Sequence, residues 1–198
     1  MNYLAHAYLS FGKPGILVGN MISDFVKGKK KFDYPLEIQQ GMELHRAIDQ
    51  FTDKHKATGI VKEIFRPDYR LYCGAFADVV YDYYLANDLS LFTEVSLYEF
   101  SQEVYNTLDV YKSFFPEPFI IMYPYMKEQN WLFNYRLPTG MKKSFGGLVR
   151  RAAYISESET AFRLFEENMH AIKNCYSDLF PELREFARQQ LQIIHARE

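Results

Sequence analysis

Gly41-Met42-Glu43-Leu44-His45-Arg46-Ala47-Ile48-Asp49-Gln50-Phe51-Thr52-Asp53 is the stretch on which the fold turns. Met42, Leu44, Ile48 and Phe51 recur at helical spacing and predict a helix with one face turned inward. Residues four apart on a helix stack about 6 Å apart along its axis. His45, Asp49 and Asp53 therefore share a face beside the apolar stripe. Imidazole and carboxylate groups in such a place are costly to bury unless something compensates them. One compensation is a divalent cation, since His at i with a second ligand at i+4 is how zinc-binding helices are built. The other is an exposed ladder in which Asp49 and Asp53 pair with Arg46 and Lys56. The stretch alone leaves both open.

Upstream, Asn2 to Ser10 reads as a short helix carrying His6, ended by Phe11-Gly12-Lys13-Pro14-Gly15 because glycine and proline both oppose continuation. Ile16 to Val26 predicts a second apolar helix with two interior polar residues, Asn20 and Asp24. Lys27-Gly28-Lys29-Lys30-Lys31 marks its end, where cations suit a helix C-terminus. Pro35 opens the central helix in a first-turn position that tolerates proline.

Downstream, Lys56 to Phe65 is a shorter helix, and a long one starts near Asp68 and reaches Ala86. In it Leu71, Ala75, Asp78, Asp82 and Leu85 share a stripe flanked by Phe76, Val79, Val80 and Tyr83. Aspartates so placed are rarely left fully exposed. Ser96-Leu97-Tyr98-Glu99 has the form of a capping box, and its helix carries the core stripe Leu97, Phe100, Val104, Leu108, Tyr111 and Phe115. Phe119 to Arg136 is helical in pattern, with a kink or restart expected at Pro124. Pro138-Thr139-Gly140 reads as a turn, Met141 to Ala153 as a helix interrupted at Gly146-Gly147, and Ser158 to His195 as a terminal helix kinked or divided at Pro181.

No alternating strand pattern competes, and there are no repeats or linkers. The expectation is one all-α domain, a helical bundle over residues 1–198. With 17 Phe and 16 Tyr the core is aromatic-rich. A net charge of −2 gives no electrostatic reason to expect nucleic acid. Cys73 and Cys175 are isolated, which argues against a disulfide scaffold or a thiolate zinc site. No run is long and apolar enough to span a membrane, and the N-terminus lacks a signal pattern. The expected location is the cytoplasm.

His6, Asp24, His45, Asp49, Asp78 and Asp82 are the metal-ligand types that tend inward, and Arg46 is the only obvious cation among them. A His and carboxylate set without thiolate suits Mn²⁺, Mg²⁺, Fe²⁺ or Zn²⁺, and such an ion assists phosphoester hydrolysis. Asp24 or Asp78 could be ligand or general base. His55, His170 and His195 fit exposed or capping positions. The lysine run could dock an acidic partner or simply be solvated. Arg150-Arg151 could grip phosphate or solubilise a helix. Trp131 and Tyr135 could line a groove or fill core.

Asn2-Tyr3-Leu4-Ala5-His6, Gly19-Asn20-Met21-Ile22-Ser23-Asp24-Phe25, His45 to Asp53, the Asp78/Asp82 pair and Trp131-Leu132-Phe133-Asn134-Tyr135-Arg136, in that order, resemble the acyl carrier protein phosphodiesterase family. The resemblance runs to about Arg151. It implies an all-helical relative of HD-type metal-dependent phosphohydrolases. The reaction it implies is hydrolysis of the phosphodiester joining 4′-phosphopantetheine to a serine of holo-acyl carrier protein, the carrier of fatty acid biosynthesis. It further implies Mn²⁺ or a similar ion held by His6, Asp24, His45, Asp49, Asp78 and Asp82. Asp24, His45, Arg46 and Asp78 become the catalytic candidates. Arg46, Lys27, Trp131, Arg150 and Arg151 become the substrate-binding ones, and the carrier the expected partner.

Two departures stand out. The adjacent His-Asp dyad of the HD proteins is absent, and Tyr83 follows Asp82 where the better-known relatives have His. Two other readings remain possible: a hydrolase of a small phosphoester such as a nucleotide, and a helical module that binds a carrier without catalysis.

Overall fold

The computed structural model describes residues 1–196, so Arg197 and Glu198 of the expected 1–198 domain lie outside the described residues. Those residues form helices and connecting turns, with no strand among them. α1 (Tyr3–Tyr8) starts at Asn2, whose side chain accepts the Tyr3 amide. α2 (Pro14–Ile22) passes into a 3-10 turn at Ser23–Phe25, and a second such turn spans Gly28–Asp33. α3 (Leu36–Lys54) is the helix expected from the opening stretch.

α2 and α3 pack closely against each other, and two glycines are the reason. A Cβ on Gly19 would lie 2.0 Å from the Ile38 carbonyl oxygen, and one on Gly41 would lie 2.3 Å from that of Ile16. Backbones can approach this closely only where neither helix has a side chain. α4 (Lys56–Tyr69) and α5 (Cys73–Ala86) pack together. Phe65 and Phe76 stack across them at 5.6 Å, and Phe145 of α9 (Pro138–Arg151) meets Phe76 edge-on at 5.1 Å. α5 also packs on α1. The remaining helices are α6 (Glu94–Val110), α7 (Glu117–Glu128), the single turn α8 (Trp131–Asn134), α10 (Glu159–Glu167) and α11 (Met169–His195). α11 lies along α3 and α4.

Several boundaries differ from expectation, each for a local reason. The helix expected over Ile16–Val26 stops at Ile22, so Asp24 sits in a tighter turn rather than one α-turn below Asn20. The capping box is Thr93 with Ser96, not Ser96 with Glu99: each side chain meets the other residue's amide, at 3.1 and 2.9 Å. Helices run through Pro67, Pro124 and Pro181, whereas the breaks fall at Arg70 and Asn130, which have positive φ, and at Asn168, whose side-chain amide donates to the Leu164 carbonyl. Pro138 opens α9 instead of forming a turn, and Gly146-Gly147 do not interrupt it.

Candidate metal centre and adjoining groove

The Gly19–Gly41 crossing brings Asn20 of α2 against His45 of α3. The His45 Nδ1–H donates to the Asn20 backbone oxygen at 2.8 Å. A carbonyl can only accept, so the proton is on Nδ1 and Nε2 faces the opposite way. His6 of α1 does the same: its Nδ1–H donates to Asn20 Oδ1 at 2.8 Å. The orientation of that amide follows from its Nδ2, which donates to the His6 carbonyl at 2.9 Å and to Ser10 Oγ at 3.1 Å. The two imidazoles stack with centroids 4.0 Å apart. Their Nε2 atoms meet one carboxylate, His6 at 3.2 Å from Asp49 Oδ1 and His45 at 3.1 Å from Asp49 Oδ2. Asp24 Oδ1 lies 3.1 Å from His45 Nε2. Ligand atoms of His6, His45 and Asp49 all fall within 4.8 Å of one another.

An unprotonated Nε2 and a carboxylate oxygen turn lone pairs toward each other, so this arrangement needs positive charge between them. In the ion-free protein a proton supplies it on one ring only. Burial pushes His45 down, but hydrogen bonds and charge from Asp24 and Asp49 outweigh it and raise the group to about 9. His6 is driven down to about 4 by burial and then by the neighbouring His45 cation. Its Nε2 thus has no proton to give at neutral pH, and it makes no hydrogen bond despite its short distance to Asp49. Burial alone would raise Asp49, yet the His45 hydrogen bond, with the Met1 ammonium nearby, holds it far below the usual carboxylate range. The His45 hydrogen bond lowers Asp24 against the opposing effect of burial.

This donor set fits a hard to borderline divalent cation: imidazole nitrogens and carboxylates, with no thiolate. Both rings also have their outer N–H anchored, on the one residue Asn20, which is the support that metal-bound histidines require.

The other candidates fall in different places. Asp78 lines the same cavity and accepts the Met1 ammonium at 2.9 Å, with that ammonium 3.5 Å from Asp49. Burial raises Asp78 against the pull of the ammonium. Asp82 is fully buried and is not turned toward the cluster. Its oxygens accept the backbone amides of Leu4 at 2.7 Å, Ala5 at 3.2 Å and Asn2 at 3.3 Å, fastening the start of α1. Burial still pushes Asp82 up to about 7.

The structure does not bring Arg46 to the cluster. One residue after His45, it is rotated about 100° round the helix and is exposed, lining neither cavity. Lys27 is likewise exposed and outside both. Asp53 pairs with Lys62 at 2.7 Å, not with Lys56. His55 caps α4 by accepting the Ala57 amide. Tyr83 packs edge-on against Phe165 at 5.1 Å and lines neither cavity.

The cluster opens into a cavity of 260 Å³ lined by His6, Asp24, Phe25, His45, Asp78 and Arg151, among others. Beside it lies a groove of 730 Å³ that includes Met122, Trp131, Tyr135, Arg150 and Arg151. The two share Asn2, Tyr3, Phe25, Leu148 and Arg151 as walls. Burial raises the Tyr3 hydroxyl to about 12, and Arg151 acts on it in the opposite direction. Arg151, not Arg46, is therefore the guanidinium next to the cluster. The sequence reading missed the parts played by Asn20 and Tyr3. A polar Asn20 inside an apolar helix was the available signal for the first; Tyr3 gave none.

Fold and site together define an all-helical protein with two histidines and carboxylates gathered at the end of a groove sized for a small ligand. A family model described as acyl carrier protein phosphodiesterase matches residues 1–183. The chain is 26% identical over 184 residues to the acyl carrier protein phosphodiesterase of Enterobacter sp. (strain 638), covering 92% of this chain and 95% of that one. It is 26% identical to the protein of that name from Photorhabdus laumondii, covering 96% of each. The one from Yersinia pestis is 25% identical, covering 96% of this chain and 99% of that one. No solved structure matches. This chain belongs to the acyl carrier protein phosphodiesterase family.

Proposed function

We propose that this chain is a divalent-metal-dependent hydrolase acting on holo-acyl carrier protein, cleaving the phosphodiester between the carrier serine and 4′-phosphopantetheine to release apo carrier. Family membership supports the reaction, and one observation carries the metal dependence: two imidazole nitrogens aimed at a single carboxylate, one of them with no proton to share. His6, His45 and Asp49 would hold the ion, with Asp24 as a further donor. We take Mn²⁺ as the working ion, with Mg²⁺, Fe²⁺ and Zn²⁺ as alternatives of similar donor preference. When bound, such an ion supplies Lewis-acid polarisation of the phosphoryl oxygen and a more acidic water.

The chain's own residues do the rest. Asp24 is largely exposed, so its free oxygen reaches solvent and can orient the attacking water or take its proton. Arg151, at the wall shared by cavity and groove, offers a planar cation to the phosphoryl oxygens. Asn20 keeps both rings aimed. The exposed Lys27, Lys29 and Lys30 offer complementary charge to an acidic carrier, which favours encounter. None of the described helices is long and apolar enough to cross a membrane, and we place the reaction in the cytoplasm with the carrier.

The test is incubation of holo-carrier with the protein and Mn²⁺, followed by intact mass measurement of the carrier. Loss of the phosphopantetheine mass, abolished by chelator, is expected. An unchanged carrier mass, with nucleotide hydrolysed instead, would replace this reading by a small-phosphoester hydrolase.

A further inference from the structure

We infer that the groove beside the cluster receives the pantetheine arm, with the scissile phosphate at the wall where groove and cavity meet. This assignment rests on the reaction proposed above. Hydrolysis of a diester at the cluster sends the two substituents of the phosphate in different directions, and the larger, the carrier, must stay outside. The groove shares walls with the cavity at the cluster. Its 730 Å³ falls in the range of about 300–1,000 Å³ usual for small-molecule sites.

Its chemistry matches a pantetheine chain, in which amides alternate with methylene and dimethyl carbons. Trp131, Met122 and Val79 give apolar wall, while Gln129, Asn134 and Ser144 offer donors and acceptors between them. Cations are gathered on α9: Lys143 and Arg150 line the groove and Arg151 stands at the junction. A phosphate at Arg151 would therefore have the cluster on one side and the groove on the other. Arg150 lies over Gly146 and Gly147, its Nη atoms 3.7 Å from where each Cβ would be. Tyr3 is held at the same junction, where its hydroxyl donates to the Met122 sulfur at 3.5 Å.

Trp131 is the only tryptophan in the chain, and it lines the groove with its ring 6.4 Å from Tyr3. Its emission therefore reports occupancy without any label. In the full chain, titration with pantetheine is expected to give a saturable change in tryptophan emission that inorganic phosphate does not give. Gly147 lines the groove, and a Cβ there would meet only Arg150. Gly147→Phe should therefore fill part of the space and weaken the apparent pantetheine Kd at least about tenfold. The wild-type titration stands on its own should that variant fail to fold. Emission unmoved by pantetheine in a protein that strips holo-carrier would overturn the groove assignment and leave the reaction standing. A saturable change in a protein that leaves holo-carrier intact would support the groove and overturn the reaction.

Discussion

Gly41 of α3 faces Gly19 of α2 so closely that a Cβ on Gly41 would lie 2.9 Å from the Gly19 Cα. The same Cβ would sit 2.3 Å from the Ile16 carbonyl oxygen, and backbone cannot yield as a side chain does. Gly41→Ala is expected to cost about 3 kcal/mol through overpacking, read as a fall in the thermal midpoint. Activity should fall further than stability alone explains, because the helices that hold Asn20 against His45 move apart. An alanine variant with wild-type melting and turnover would show that the crossing has slack.

Asn20 satisfies polar groups from three partners: it accepts from His6, donates to the His6 carbonyl and Ser10, and offers its carbonyl to His45. Truncation in Asn20→Ala leaves the His6 Nδ1–H unpartnered in the core, at about 1–3 kcal/mol. The His6 imidazole, freed while His45 keeps its backbone carbonyl partner, should also weaken metal binding about 10–100-fold. Calorimetric titration with Mn²⁺ measures this, and an unchanged affinity would remove Asn20 from the account.

Stability of the metal-free protein should fall as pH rises from about 6.5 toward about 9. The His45 pKa is raised from 6.5 to about 9 in the folded chain. Below the lower value the ring is protonated in both states and its ion pairs contribute fully. Between the two values only the folded state keeps the proton, so the contribution declines, and it is gone above the upper one. The Met1 ammonium, raised from 8.0 to about 10, adds to the decline at its upper end. Melting in chelator across this range tests it: His45→Gln should remove most of the decline between about pH 7 and 8, above the span in which Asp82, raised to about 7, adds to it. Over the same window Mn²⁺ affinity should rise with pH, because the ion displaces the His45 proton.

Arg151 and Arg46 separate cleanly by position. Arg151→Met is expected to lower kcat/KM on holo-carrier about 10²–10³-fold, the usual loss for one donor to a developing oxyanion. Arg46→Met should leave it near wild type, since Arg46 is exposed and outside both cavities. The reverse ranking would move the phosphate to the other face of α3.

Asp82 and Asp49 differ in the same way. Asp82→Asn removes acceptor capacity from the amides of Asn2, Leu4 and Ala5 and should cost about 1–2 kcal/mol while Mn²⁺ affinity of the folded protein persists. Asp49→Asn should lose that affinity. Equal loss in both would mean that Asp82 contributes to binding the ion.

Helix content, and the inward face of the stretch from Gly41 to Asp53, were determined by periodicity, because apolar spacing alone decides which side of a helix is driven from water. His6, Asp24, His45 and Asp49 were legible as candidates for a related reason: a titratable group beside an apolar stripe must find a partner. Sequence could not say which partner. Asp78 and Asp82 share a stripe, yet one faces an ammonium and the other a row of amides, and spacing along one helix is blind to what another helix presents. Arg46 adjoins His45 in the chain, and Arg151 is far from it, but the guanidinium near the cluster is Arg151. Chain neighbours on a helix point apart, while packing joins residues of any separation. Only the tertiary structure, through the glycine crossing of α2 and α3, decided that two imidazoles would lean on one asparagine and turn toward one carboxylate.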